Sequence, residues 1–119
     1  MKWLEERAPL RYQESYDNSG LLVGDAQMNI TGVLCSLDAD EDVLREAIAR
    51  GCNVVLSHHP IIFKGLKRLT GSSVAERTVA FAIRHDIALY AGHTNWDSIA
   101  GGVSFSLARR LGIQNPKVM

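Results

Sequence analysis

The chain has little cysteine, no net charge and no long apolar run, and each shortage argues against a class of protein. Its two cysteines, Cys35 and Cys52, stand apart in apolar stretches, without CxxC spacing. A disulfide scaffold is not indicated, and reduced core thiols are the expectation. Thirteen basic side chains balance thirteen acidic ones, so no overall field gathers nucleic acid or an anionic membrane. No apolar run approaches the ~20 residues that span a bilayer. The opening MKWLEERAPL lacks the apolar centre of a secretory signal. A cytoplasmic protein is expected, with no membrane as partner and no overall charge to favour nucleic acid, though nucleic acid is not ruled out by charge alone.

What the chain does have is enough apolar material for one domain. It is 119 residues long and 46% hydrophobic, and a domain of this size buries roughly two-thirds of the surface its unfolded chain exposes. Residues 32–37 form a continuous apolar run of strand length and read as a buried strand. Asp40 then caps a helix with Glu41 and Asp42 in its first turn, and Val43, Leu44, Ala47 and Ile48 recur at helical spacing. Gly51 sits where a left-handed residue closes such a helix. Residues 53–57 are a second buried strand, halted by Pro60 after His58 and His59.

A second helix begins near Ser73, with Glu76 completing a capping box, and runs to about His85. Residues 87–91 are a third strand ending at Gly92 and His93, and a last helix covers residues 103–111, closed by Gly112. Strand and helix alternate, which predicts an α/β fold: a three-layer-like, parallel-rich sheet with right-handed crossover helices, in a single domain. Asp17, Asn18, Ser19 and Gly20 read as a turn into an additional edge or hairpin strand at 21–23. Residues 2–7 give under two turns of helix before Pro9, and residues 117–119 stop where another strand could start. A fragment of a longer protein is therefore expected.

Ligands of open parallel sheets bind beyond the carboxyl ends of the strands. His58, His59, His93 and Asp38 all fall at such ends. Successive side chains of extended backbone point to opposite sides, so His58 and His59 would diverge, which suits two ions better than one. His93 and Asp97 are four apart and share a face if that segment turns helically. Imidazole with carboxylate suits zinc, iron, manganese or nickel, whereas carboxylate alone favours magnesium or calcium. Asp38 could equally cap the following helix. His85, at a helix C-terminus, reads as structural. Lys64, Lys67 and Arg68 are either a solvated loop or a phosphate-steering edge beside the histidines. Two divalent ions bring four positive charges, and dinuclear hydrolases bridge them with a carboxylate. No residue for that bridge stands out in the chain.

Three segments carry a resemblance: YDNSGLLVG at 16–24, SHHPIIFKGL at 57–66, and HTNWD at 93–97 followed by GGV at 101–103. In order and spacing they resemble the NIF-three-like family, also called GTP cyclohydrolase 1 type 2 homologues. The resemblance implies a dinuclear divalent-metal protein in which His58 and His59 each ligate a different ion and His93 and Asp97 complete the shells. It implies a toroidal hexamer and a metal-dependent hydrolase of cyclohydrolase or phosphoesterase type, acting on a small or phosphate-containing substrate. Members carry a later His-x-x-x-Glu element with the bridging glutamate, which is absent here, so the chain resembles an N-terminal half. Catalytic roles would fall to Lys64, stabilising an anionic oxygen, and to Asp38 or Thr94, orienting water or a ligand. The alternatives are a non-enzymatic metal-binding regulatory or interaction module, and a metal-free fragment.

Overall fold

Four short Val-, Leu- and Ala-rich runs pair into one sheet in the computed structural model, which describes residues 1–117. The strands are β1 (Gly20–Val23), β2 (Val33–Ser36), β3 (Val54–Ser57) and β4 (Ala88–Ala91), in the order β1-β4-β3-β2. β2, β3 and β4 are mutually parallel, and β1 lies antiparallel on β4. The expected parallel-rich α/β sheet is what forms. β1 is an edge strand rather than half of a hairpin, since its partner is β4, the last of the described strands.

Among the described residues five helices accompany the sheet: α1 (Lys2–Arg7), α2 (Glu41–Ala49), α3 (Val74–Arg84), the single turn α4 (Thr94–Asp97) and α5 (Val103–Arg110). A 3-10 turn at Leu10–Tyr12 follows α1. The crossovers α2 and α3 pack on one sheet face. There Leu44, Ala47, Val79 and Ala82 meet Val55, Leu89 and Val23 in the main core. The strand start anticipated at 117–119 falls mostly on Val118 and Met119, outside the described residues.

Local signals set the helix ends. The Asp40 carboxylate accepts the Val43 N–H at 2.9 Å, as a cap should. Ser73 Oγ accepts from Glu76 N at 3.2 Å, but Glu76 does not return the bond to Ser73. Its carboxylate instead accepts from the N–H and hydroxyl groups of Thr70 and Ser72, so the expected capping box is half formed and the rest pins the preceding loop. Helix α2 closes on Gly51 at φ +69°, with Cys52 N donating to Ala47 O at 2.8 Å. Gly112 closes α5 in the same way, and Asp86 closes α3 at φ +52°. Sequence reading found the two glycines and missed Asp86, whose short polar side chain also tolerates this backbone.

The second sheet face is covered unevenly. Across one row, exposure falls from 48% at Val33 on β2 to 2% at Val54 on β3 and 0% at Ala88 on β4. The next row runs from exposed Cys35 through half-buried Leu56 to buried Tyr90. Two expectations are corrected by this gradient. β2 is an exposed edge strand rather than a buried one, and Cys35 is an exposed free thiol rather than a core one, with Cys52 half-buried. The apolar composition of 32–37 predicts burial, but β2 lies at the sheet edge, where Val33 and Cys35 stay exposed.

Candidate metal centre

The ends of the three parallel strands are tied to one another by backbone bonds. His58 N donates to the carbonyls of Ser36 (3.2 Å) and Leu37 (3.1 Å), His59 N to Leu37 O (2.9 Å), and Gly92 N to Ser57 O (2.9 Å). These ties bring Asp38, His58, His59 and His93 to a single edge of the sheet. The chain bends at His58 and His59 instead of staying extended, so the two rings do not face opposite sides. Their centroids are 5.2 Å apart, with His93 at 5.2 Å from His58 and 5.7 Å from His59. One ring nitrogen from each of the three lies within 4.8 Å of the others.

His93 caps the single turn α4, whose Trp96 and Asp97 N–H groups return to the His93 carbonyl at 2.9 and 3.2 Å. That turn gives the four-residue spacing its effect. Asp97 Oδ2 lies 3.9 Å from His58 Nε2, too far for a hydrogen bond but close enough for both atoms to ligate one ion at about 2.0–2.2 Å each. Buried Asn95 anchors the turn by donating to Ala8 O at 2.8 Å.

Every histidine of the cluster has its Nδ1 committed to an acceptor. His58 Nδ1 meets Gly92 O at 2.8 Å, His59 Nδ1 meets Asp38 Oδ1 at 2.7 Å, and His93 Nδ1 meets Asp17 Oδ1 at 2.8 Å. A carbonyl or a carboxylate can only accept, so each Nδ1 carries a proton, and in the neutral ring each Nε2 then keeps its lone pair. Backing by a carboxylate or carbonyl is what metal-ligating imidazoles require, since it fixes the tautomer and raises ligand basicity. The donor set of imidazole nitrogens and one nearby carboxylate therefore fits a divalent transition metal.

Asp17 was read from sequence only as part of a turn. Its side chain has no exposed surface, and five groups donate to it. Burial acts to raise its pKa, but hydrogen bonds from Thr94, His93, Ser19 and the Asn18 N–H outweigh that and hold the carboxyl well below the usual range. Composition and periodicity carry no signal for it, and the resemblance of the YDNSGLLVG segment that contains it assigns it no role. Asp38, left open between helix cap and site, belongs with His59, and Asp40 does the capping. Thr94 Oγ1 donates to Asp17 Oδ2 and accepts from Glu14 N, so its proton is committed to this scaffold. Lys64, Lys67 and Arg68 are exposed. None of them makes an ion pair or a side-chain hydrogen bond among the described residues. His85 ends α3 and stacks on Phe81 at 4.2 Å, a packing role away from the cluster.

Residues 1–119 match the family described as Duf34/NIF3 (NGG1p interacting factor 3) over their whole length. The chain belongs to the Duf34/NIF3 family. A Clostridium perfringens relative called GTP cyclohydrolase 1 type 2 homolog is 40% identical over 116 residues, which are 98% of this chain and 44% of that protein. A Staphylococcus aureus relative of the same name is 42% identical over 119 residues, all of this chain and 32% of that one. The crystal structure of a Bacillus cereus protein related to NIF3 superposes with a TM-score of 0.89 at 38% identity, covering 96% of this chain and 31% of that one. This Duf34/NIF3 chain thus spans less than half the length of the curated relatives it matches. No described helix is long and apolar enough to cross a membrane.

Proposed function

We propose that the His58–His59–His93 cluster, with Asp97, is part of a centre for two divalent metal ions that serves metal-dependent hydrolysis in a longer Duf34/NIF3 protein. One observation carries this reading: three imidazoles converge with every Nδ1 already bonded, leaving three Nε2 lone pairs free at one site. A hydrogen-bonded surface cluster with no ligand to hold has no need of that uniform tautomer. Two divalent ions there would supply Lewis-acid polarisation of a substrate and acidification of water. His58 and Asp97 would ligate one ion together, and His59 and His93, held from behind by Asp38 and Asp17, would face the second. Lys64, free in its exposed loop, would meet an anionic substrate oxygen. The relatives' name favours a substrate of nucleotide type.

Elemental analysis and zinc titration of the chain test the metal. Wild type should retain divalent metal, and His58→Ala and His93→Ala should each lose most of it. Retention unchanged in both variants would sink the proposal. A panel of phosphoesters and nucleotides tests the hydrolysis. Turnover abolished by chelator is the expected outcome, whereas metal-dependent capture of a partner without turnover would favour a binding module.

A further inference from the structure

The three histidines are not held alike, and the difference singles out one residue. His58 leans on a neutral backbone carbonyl. His59 leans on Asp38, whose side chain is 67% exposed and accepts that one bond. His93 leans on Asp17, whose side chain is 0% exposed. Oδ1 of Asp17 accepts His93 Nδ1 at 2.8 Å and the Asn18 N–H at 2.6 Å. Oδ2 accepts Ser19 Oγ at 2.9 Å, Thr94 N at 3.0 Å and the Thr94 hydroxyl. The neighbouring Asn18 side chain donates to Ile62 O at 2.6 Å, tying the same tripeptide to the loop that follows His58 and His59.

We infer that Asp17 is the positioning residue of this centre: it fixes the tautomer and orientation of His93, while the adjacent Asn18 ties the same segment to the loop that follows His58 and His59. Five donors saturate a carboxylate's roughly four lone-pair positions, so the group cannot rotate and cannot donate. His93 is thereby obliged to protonate Nδ1 and present Nε2. Two of the donors, Asn18 N and Thr94 N, are fixed backbone groups, one on each oxygen. An amide in place of the carboxylate therefore sets an NH2 against an N–H whichever way it turns. Replacing a buried carboxylate behind an imidazole by an amide can leave the geometry standing while admitting the wrong tautomer. The inference rests on the metal reading for its purpose, though not for the tautomer itself.

The test is long-range 1H–15N correlation spectroscopy of the imidazoles in the metal-free chain, at about pH 8, above the ordinary histidine range. It is paired with zinc affinity measured by competition with a chromophoric chelator. In wild type, His93 should be wholly Nδ1–H; a predominantly Nε2–H ring overturns the inference without any variant. In Asp17→Asn, the Nε2–H form of His93 should appear while His58 keeps its wild-type pattern, and zinc should bind about 10–100-fold more weakly. A merely structural role would lower Tm and leave the His93 pattern unchanged, and that result also overturns it. Asp38→Asn should alter His59 alone. If Asp17→Asn shifts the tautomer but neither chain takes up zinc, the positioning role stands and the metal reading falls. If wild type and variant bind zinc equally with one tautomer, the reverse holds.

Discussion

Gly92 has no room for a side chain, and replacing it with alanine gives a measurable check on how the site is built. A Cβ there would lie 2.7 Å from Trp96 Cδ1, 2.9 Å from Nε1 and 3.4 Å from Cγ. Carbon contacts are comfortable from about 3.5 Å, so the indole edge must retreat by about 0.6–0.8 Å. The ring sits on α4, a single turn pinned by buried Asn95 to Ala8, so it cannot swing away freely. Overpacking of this kind costs about 1–3 kcal/mol. For a chain of this size that corresponds to a fall in Tm of about 4 °C per kcal/mol.

The strain also reaches the site. Gly92 O holds His58 Nδ1 and α4 carries Asp97, so zinc affinity should fall together with stability. Trp96→Phe supplies the rescue, because Nε1 has no hydrogen-bond partner among the described residues and its removal forfeits none. Urea unfolding of wild type, both single variants and the double variant should give a favourable coupling of about 0.5–3 kcal/mol. If Gly92→Ala unfolds at the wild-type urea concentration, or Trp96→Phe restores nothing, the clash is not what excludes a side chain here.

Two further predictions concern the scaffold. Hydrogen bonds from Ser72 and Thr70 hold the Glu76 carboxyl down to about 2, below its ordinary 4.5. A depressed folded value favours the folded state above the unfolded pKa, so Glu76→Gln should unfold more readily than wild type at neutral pH. That difference in urea midpoint should shrink as pH falls from 4.5 towards about 2, and a gap that persists in acid would contradict the assignment. Asp40→Ala, which removes the α2 cap, should cost about 0.5–2 kcal/mol by the same assay without touching zinc affinity.

Much of the fold was legible because its signals are local. Asp40 and Ser73 mark helix starts through side-chain bonds within three residues. Gly51 and Gly112 mark ends because that backbone suits glycine. His58, His59 and His93 were placed at strand ends because a strand stops where its apolar run stops. The exposure of β2 and Cys35 was not legible, since an apolar run shows what could be buried and not whether anything covers it. Nor was the bend at His58 and His59, where ties to the Ser36 and Leu37 carbonyls override the extended alternation assumed for the pair.

The sequence by itself determined the α/β alternation, the strand-end placement of the histidines and the family. All of these follow from periodicity, punctuation and motif spacing along the chain. Tertiary structure alone decided how the histidines are held. Asp17 is 76 residues from His93 and 77 from Thr94, and Asp38 is 21 from His59. No local pattern connects partners so far apart. Packing the segment around Asp17 against the end of β4 buries a carboxylate, and a buried carboxylate must find donors. The donors it finds are the histidine and the helical turn on which the candidate metal centre is built.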